Sequence, residues 1–148
     1  MCGIMGEVTF GDATLSDEKT FEKGMASMIY RGPDAQKMWC NDGVDVRMGH
    51  LRLSILDLRD EGAQPMHYKT ANGKYTIVFN GEVYNYLEIR SELLSLGYTF
   101  NTGTDTEVIL AAYNAYGEAC LDKFNGMFAF VIYHHDSDEF FMARDRLG

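Results

Sequence analysis

Apolar positions along the chain change period several times, and each change marks an element. Residues Gly3–Phe10 place Ile4, Val8 and Phe10 in a strand-like run. After Ser16, read as an N-cap, Phe21, Met25, Met28 and Ile29 recur at helical spacing. Arg31-Gly32-Pro33-Asp34 reads as a turn. Two strand-like runs, Gln36–Asn41 and Asp45–Leu56, flank Asp42-Gly43, a hairpin signal. Asp57–Gly73, with Pro65, reads as a long loop, a length uncommon unless functional. Lys74–Phe79 is a dense apolar strand that delivers the chain to Asn80-Gly81. Asn85 with Glu88 three residues on has the form of a capping box. It opens a helix carrying Leu87, Leu93, Leu94 and Leu96 and closed by Gly97. Thr104-Asp105-Thr106-Glu107 is a second box, before a helix with Val108, Ile109, Ala112 and Tyr113 on one face. Met127–Tyr133 is an almost unbroken apolar strand, His134–Asp138 a turn and Glu139–Ala143 the return strand.

Helices come in groups rather than one after each strand, which argues against a doubly wound parallel sheet. Strands without polar alternation ask for burial on both faces. A four-layer α+β arrangement, two stacked sheets with helices outside, meets both demands. The length, 148 residues, fits one domain over 1–148 with a sizeable core. The last residues stop just behind an apolar strand pattern, so the domain is expected to be truncated at its C-terminal end.

Composition narrows the function classes. Nine Phe and nine Tyr argue against disorder, and a net charge of −9 without a Lys/Arg cluster argues against nucleic acid. No apolar run approaches the ~18 residues of a membrane helix, and no signal peptide is recognisable. Three widely spaced cysteines form neither a disulfide framework nor a zinc pair. The expectation is a cytoplasmic protein with Cys40 and Cys120 structural. The four histidines suggest no metal set: His50 reads as a packed strand residue, His67 as loop, His134 and His135 as turn.

Cys2 stands apart. Once Met1 is trimmed, its thiol shares a carbon skeleton with a free α-amine of pKa roughly 7.7–8.0, against about 8.5 for a thiol. One residue then supplies nucleophile and base, and activity is expected to depend on that trimming. Asn80-Gly81 taken alone is the strongest short hairpin signal. Beside a nucleophile it also offers the side-chain amide and backbone N–H that an oxyanion needs. Arg52, between apolar neighbours on a strand, would alone be a solvated side chain, yet its guanidinium matches a carboxylate. Asp105 at a helix start favours the helix dipole.

MCGI at the start, RGPD at Arg31–Asp34, HLRLSILD at His50–Asp57, FNGEVYNY at Phe79–Tyr86 and TGTDTE at Thr102–Glu107 stand in order, followed by FNGMFAF and RDRLG. This set resembles the glutaminase domain of class II glutamine amidotransferases, the N-terminal nucleophile type, and within it the asparagine synthetase branch. The resemblance implies the αββα sandwich of N-terminal nucleophile hydrolases. It implies hydrolysis of glutamine to glutamate and ammonia through a thioester on Cys2, with Asn80 and Gly81 as the oxyanion hole. Arg52 would hold the substrate α-carboxylate, helped by backbone groups near Leu53 and Ile55. Asp105, with Glu82, would hold the α-ammonium. The partner would be a synthetase domain, normally on the same polypeptide, that takes up the ammonia to turn aspartate into asparagine. ATP and Mg are expected only there, and no cofactor or metal in this chain, which lacks that domain's Ser-Gly-Gly-x-Asp-Ser loop. An amidotransferase acting on another carboxylate and an inactive glutamine-binding fragment remain open, as does a homodimer.

Overall fold

The computed structural model describes residues 2–54 and 60–148. Among these, β1 (Gly3–Val8) and β2 (Ala35–Cys40) flank β3 (Val46–Arg52) in one antiparallel sheet. A second antiparallel sheet runs β4 (Met66–Thr70), β5 (Gly73–Val83), β6 (Gly126–His134), β7 (Glu139–Arg144). Helix α1 (Glu18–Ala26) covers the first sheet; α2 (Tyr86–Ser95) and α3 (Asp105–Tyr116) cover the second.

Three apolar clusters separate the resulting four layers. Phe21 and Met25 of α1 meet Leu51 beneath Met5 and Met38. Val46 and Met48 meet Val78 and Tyr133 between the sheets. Ile77, Phe130 and Ile132 pack beneath Ile89, Leu93 and Val108–Ala112 in the largest cluster. Each fully buried aliphatic or aromatic side chain contributes roughly 1.5–3 kcal/mol. Tyr75–Phe79 is buried at every position, which is why its sequence shows no polar alternation. The α+β sandwich read from the sequence is the fold observed.

Several local expectations change. Asp17, not Ser16, caps α1, accepting from Thr20 N at 3.0 Å. Ser16 is taken by the Glu7 carboxylate through its N–H at 2.6 Å and its hydroxyl at 2.9 Å. The loop expected over Asp57–Gly73 contains β4, an edge strand whose Met66 is buried and whose His67 and Lys69 are exposed. Pro65 just before it hid that alternation. The strand expected to reach Leu56 ends at Arg52, and Ile55 and Leu56 lie outside the described residues.

Asn80-Gly81 is not a turn. β5 continues through it to Val83, with Asn80 opposite Ala129 and Gly81 opposite Phe128. Gly81 has φ +150°, and a Cβ there would lie 2.1 Å from the Met127 carbonyl oxygen. The close approach, rather than a hairpin, is what demands glycine. Asn85 does not cap α2 through its side chain. Its amide instead donates to Lys123 O at 2.9 Å and accepts from Asn125 N at 2.9 Å, tying α2 to the start of β6. The apolar face expected for α2 is narrower than its leucines suggest: Ile89 and Leu93 are buried, whereas Leu87, Leu94 and Leu96 are exposed. At the far end Gly97 (φ +91°) closes a Schellman motif, with Tyr98 N bonded to Leu93 O and Gly97 N to Leu94 O.

Candidate active site

Strand parity gathers the site before any side-chain bond is counted. In β3, Met48 faces the second sheet, so His50 and Arg52 do too. In β5, Val78 faces the first sheet, so Asn80 and Glu82 follow. Cys2 precedes β1, whose Gly3 pairs with Leu51, which puts it beside Arg52. These side chains converge where the sheets part. They line a cleft of about 180 Å³, with Leu53, Gly81 and, from the start of α3, Thr104–Thr106. Of the residues singled out in the sequence, Cys2, Arg52, Leu53, Asn80, Gly81, Glu82 and Asp105 all line it. Ile55 lies outside the described residues.

The turn at Arg31–Asp34 holds Cys2. Cys2 Sγ accepts from Leu53 N at 3.3 Å and lies 3.7 Å from Leu53 O. Arg31 Nε donates to Cys2 O at 3.1 Å. Asp34 accepts from Ser54 N at 2.7 Å, and its own N–H donates to Arg52 O at 3.0 Å. A Cβ on Gly32 would sit 2.2 Å from Leu51 O. The RGPD motif, read only as a turn, thus clamps Cys2 and the end of β3 together.

The opposite wall is the start of α3. Thr104 caps the helix, accepting from Glu107 N at 3.3 Å. The capping box is only half formed. The Glu107 carboxylate does not return to Thr104 but accepts from Asn101 N and Thr102 N at 2.9 and 2.7 Å, fixing the loop ahead of the helix. Asp105 is 5% exposed and accepts from Val83 N at 3.0 Å. Burial lifts its carboxyl to about 6, with the nearby Glu82 charge pushing the same way and backbone N–H groups opposing.

His50, expected as a packed strand residue, is packed at 2% exposure and also lines the cleft. Burial lowers its imidazole to about 4; the Phe79 carbonyl opposes this and Arg52 reinforces it. Its Nε2 and the Asn80 Oδ1 are buried without a protein partner. Its place two residues before Arg52 on one strand was the signal for it. Gln64, also in the cleft, had no signal beyond preceding a proline. Cys120 is fully buried, its thiol pushed up to about 12. All three cysteines are free thiols. Among the described residues no His/Cys/Asp/Glu group is arranged to hold a metal, and no helix is long and apolar enough to cross a membrane.

The geometry suits acyl transfer: a thiol, an amide and a backbone N–H side by side, with a guanidinium and carboxylates flanking them. Residues 1–148 match the glutamine amidotransferase domain family. Over its whole length the chain is 43% identical to "Asparagine synthetase [glutamine-hydrolyzing] 1" and 38% identical to "Asparagine synthetase [glutamine-hydrolyzing] 3", both from Bacillus subtilis. It spans 23% and 24% of those two proteins, about a quarter of their length. The glutamine phosphoribosylpyrophosphate amidotransferase of B. subtilis superposes with a TM-score of 0.78 over 96% of this chain and 37% of its own, at 20% identity. At that identity the likeness is one of fold, and it agrees with the α+β sandwich expected from the sequence. With the family spanning every residue and the fold in agreement, this chain belongs to the glutamine amidotransferase domain family.

Proposed function

We propose that this domain hydrolyses glutamine to glutamate and ammonia through a thioester on Cys2. The observation that carries the reading is the single cleft in which Cys2, Asn80-Gly81, Arg52 and Asp105 meet. Arg52 takes the substrate α-carboxylate and Asp105, with Glu82, the α-ammonium; this clamp fixes the side-chain amide near Cys2. The α-amine of Cys2, free once Met1 is removed, accepts the thiol proton. Sulfur attacks the amide carbon, and the developing oxyanion is met by the Asn80 amide and the Gly81 N–H. The C–N bond breaks, and ammonia leaves with the proton the amine had stored. Water then attacks the thioester, releasing glutamate and returning the proton to sulfur.

The backbone of β5 supports the oxyanion assignment. Phe79 N–H and Val83 N–H leave the strand on the side away from β6, toward Gln64 and Asp105. Alternation sets the Gly81 N–H on that same edge, between them, above the cleft.

The names of the relatives suggest the fate of the ammonia: delivery to a synthetase domain on the same polypeptide, which converts aspartate to asparagine with ATP and Mg. We assign this chain no cofactor of its own. The reading carries a reduced, cytoplasmic setting with it.

An electrophilic glutamine analogue should label Cys2 and spare Cys40 and Cys120, and Cys2→Ala should abolish ammonia release while the fold persists. Labelling mainly on Cys40 or Cys120, read by peptide mass spectrometry, would overturn the assignment.

A further inference from the structure

β4 ends its pairing with β5 at Met66 opposite Ile77. Two residues on, the outward edge of β5 at Phe79 has no strand beside it among the described residues, yet a buried N–H there must find a partner. The side chain of Gln64 supplies it: Oε1 accepts from Phe79 N at 2.6 Å. The other end of the same amide, Nε2, donates to Thr106 Oγ1 at 3.3 Å. Thr106 follows Asp105, whose carboxylate accepts from Val83 N four residues farther along the same edge. Five residues and three hydrogen bonds close a frame: Phe79 to Gln64, Gln64 to Thr106 in α3, and its neighbour Asp105 back to Val83. Asn80-Gly81 lie inside it. Gln64 is 7% exposed and lines the cleft without being needed by any step above.

We propose that Gln64 is a positioning residue whose amide sets the distance between the oxyanion donors on β5 and the ammonium-binding carboxylate at the start of α3. The proposal rests on the glutaminase reading of the preceding subsection. A primary amide suits the task because one end must accept from a backbone N–H while the other donates to a hydroxyl. A methionine of similar length does neither. A glutamate keeps the first bond, can hold the second only with the direction reversed (Thr106 Oγ1–H donating to the carboxylate), and adds charge next to Asp105.

The two halves of the clamp therefore separate in kinetics. In the whole protein, Gln64→Met should lower kcat for glutamine by about 10–100-fold, the scale of a misplacement near 1 Å. Alkylation of Cys2 by iodoacetamide, which needs neither oxyanion donor nor α3, should keep its wild-type rate. Gln64→Glu should restore most of kcat, since Phe79 N–H regains an acceptor. It should also raise KM, and move the acid limb of the KM profile to higher pH, because a further carboxylate beside Glu82 holds the Asp105 proton more tightly. Thr106→Val should raise KM without the kcat loss, and it keeps the test alive if Gln64→Met fails to fold. Gln64→Met and Gln64→Glu variants that keep kcat and KM within twofold per folded molecule overturn the proposal alone. So does loss of kcat with no recovery in Gln64→Glu. A wild-type protein that releases no ammonia from glutamine refutes the glutaminase reading, and this proposal with it.

Discussion

Replacing Asp105 by asparagine should make the protein more stable and its site worse. The carboxyl is 5% exposed and its pKa stands at about 6, against 3.8 for an ordinary aspartate, chiefly through burial. A raised acid binds its proton more tightly folded than unfolded, so its penalty is absent below about 3.8 and complete above about 6. Linkage puts that penalty at about 3 kcal/mol at pH 7 and about 1 kcal/mol at pH 4.5. Asparagine keeps an oxygen for Val83 N–H and removes the charge. The lost carboxylate at the helix start returns roughly 0.3–1 kcal/mol, leaving a net gain of about 2 kcal/mol at pH 7. For a chain of this size that is about 4–8 °C in melting temperature. At pH 4.5 the gain should nearly vanish. The substrate ammonium, in turn, loses its partner, and KM for glutamine should rise about 10–100-fold, the worth of a charged hydrogen bond. Denaturant melts at the two pH values and steady-state ammonia release test both halves. A variant less stable at pH 7, or a gain that ignores pH, would refute burial as the cause of the shift. An unchanged KM would remove Asp105 from the ammonium site.

Two further outcomes follow from the same structure. Gly81→Ala should lose glutaminase activity by about 10²–10³-fold, because its Cβ meets the Met127 carbonyl oxygen at 2.1 Å and must displace the oxyanion N–H; an active, folded Gly81→Ala protein would contradict the assignment. His50, lowered to about 4 from 6.5, favours the fold most above pH 6.5 and loses roughly 2–3 kcal/mol of that as pH falls to 4.5. The relief at Asp105 partly hides this loss in the wild type, so it should appear as a reduced acid sensitivity of His50→Gln in denaturant melts, and equal sensitivity would refute it.

The apolar pattern alone located most strands and all three α-helices, as one-sided periodicity in α1 and as unbroken apolar runs in the strands buried on both faces. Motif order brought Cys2, Arg52, Asn80, Gly81, Glu82 and Asp105 to one place, whereas His50 was read only as packing and lines the same cleft. What the sequence hid was decided by distant backbone. Asn-Gly suits a hairpin and a crowded strand equally, and only Met127 and Phe128 lying against Gly81 choose the strand. Gln64 reads as a loop polar residue, since its partners Phe79 and Thr106 are remote in sequence. β4 is short, lies at an edge and follows a proline, so its pattern was too brief to recognise. The capping boxes failed where a side chain found a better partner, as Asn85 did with Lys123 and Asn125.

The early end of β4 acts as a ruler for the whole site. Its ladder stops opposite Ile77; two more paired residues would reach Phe79 and four would reach Gly81. A deletion before β4 that let the ladder zip onward would seal the Gly81 N–H under a neighbouring strand, without altering any residue of the cleft. Natural variation in chain length should therefore be tolerated at the turn of residues 71–72 and rejected just ahead of Met66. Gln64 and Asp105, seated on the flanking N–H groups of Phe79 and Val83, leave no continuous row for another strand to pair with, so the groups that frame the cleft also fix where the sheet stops.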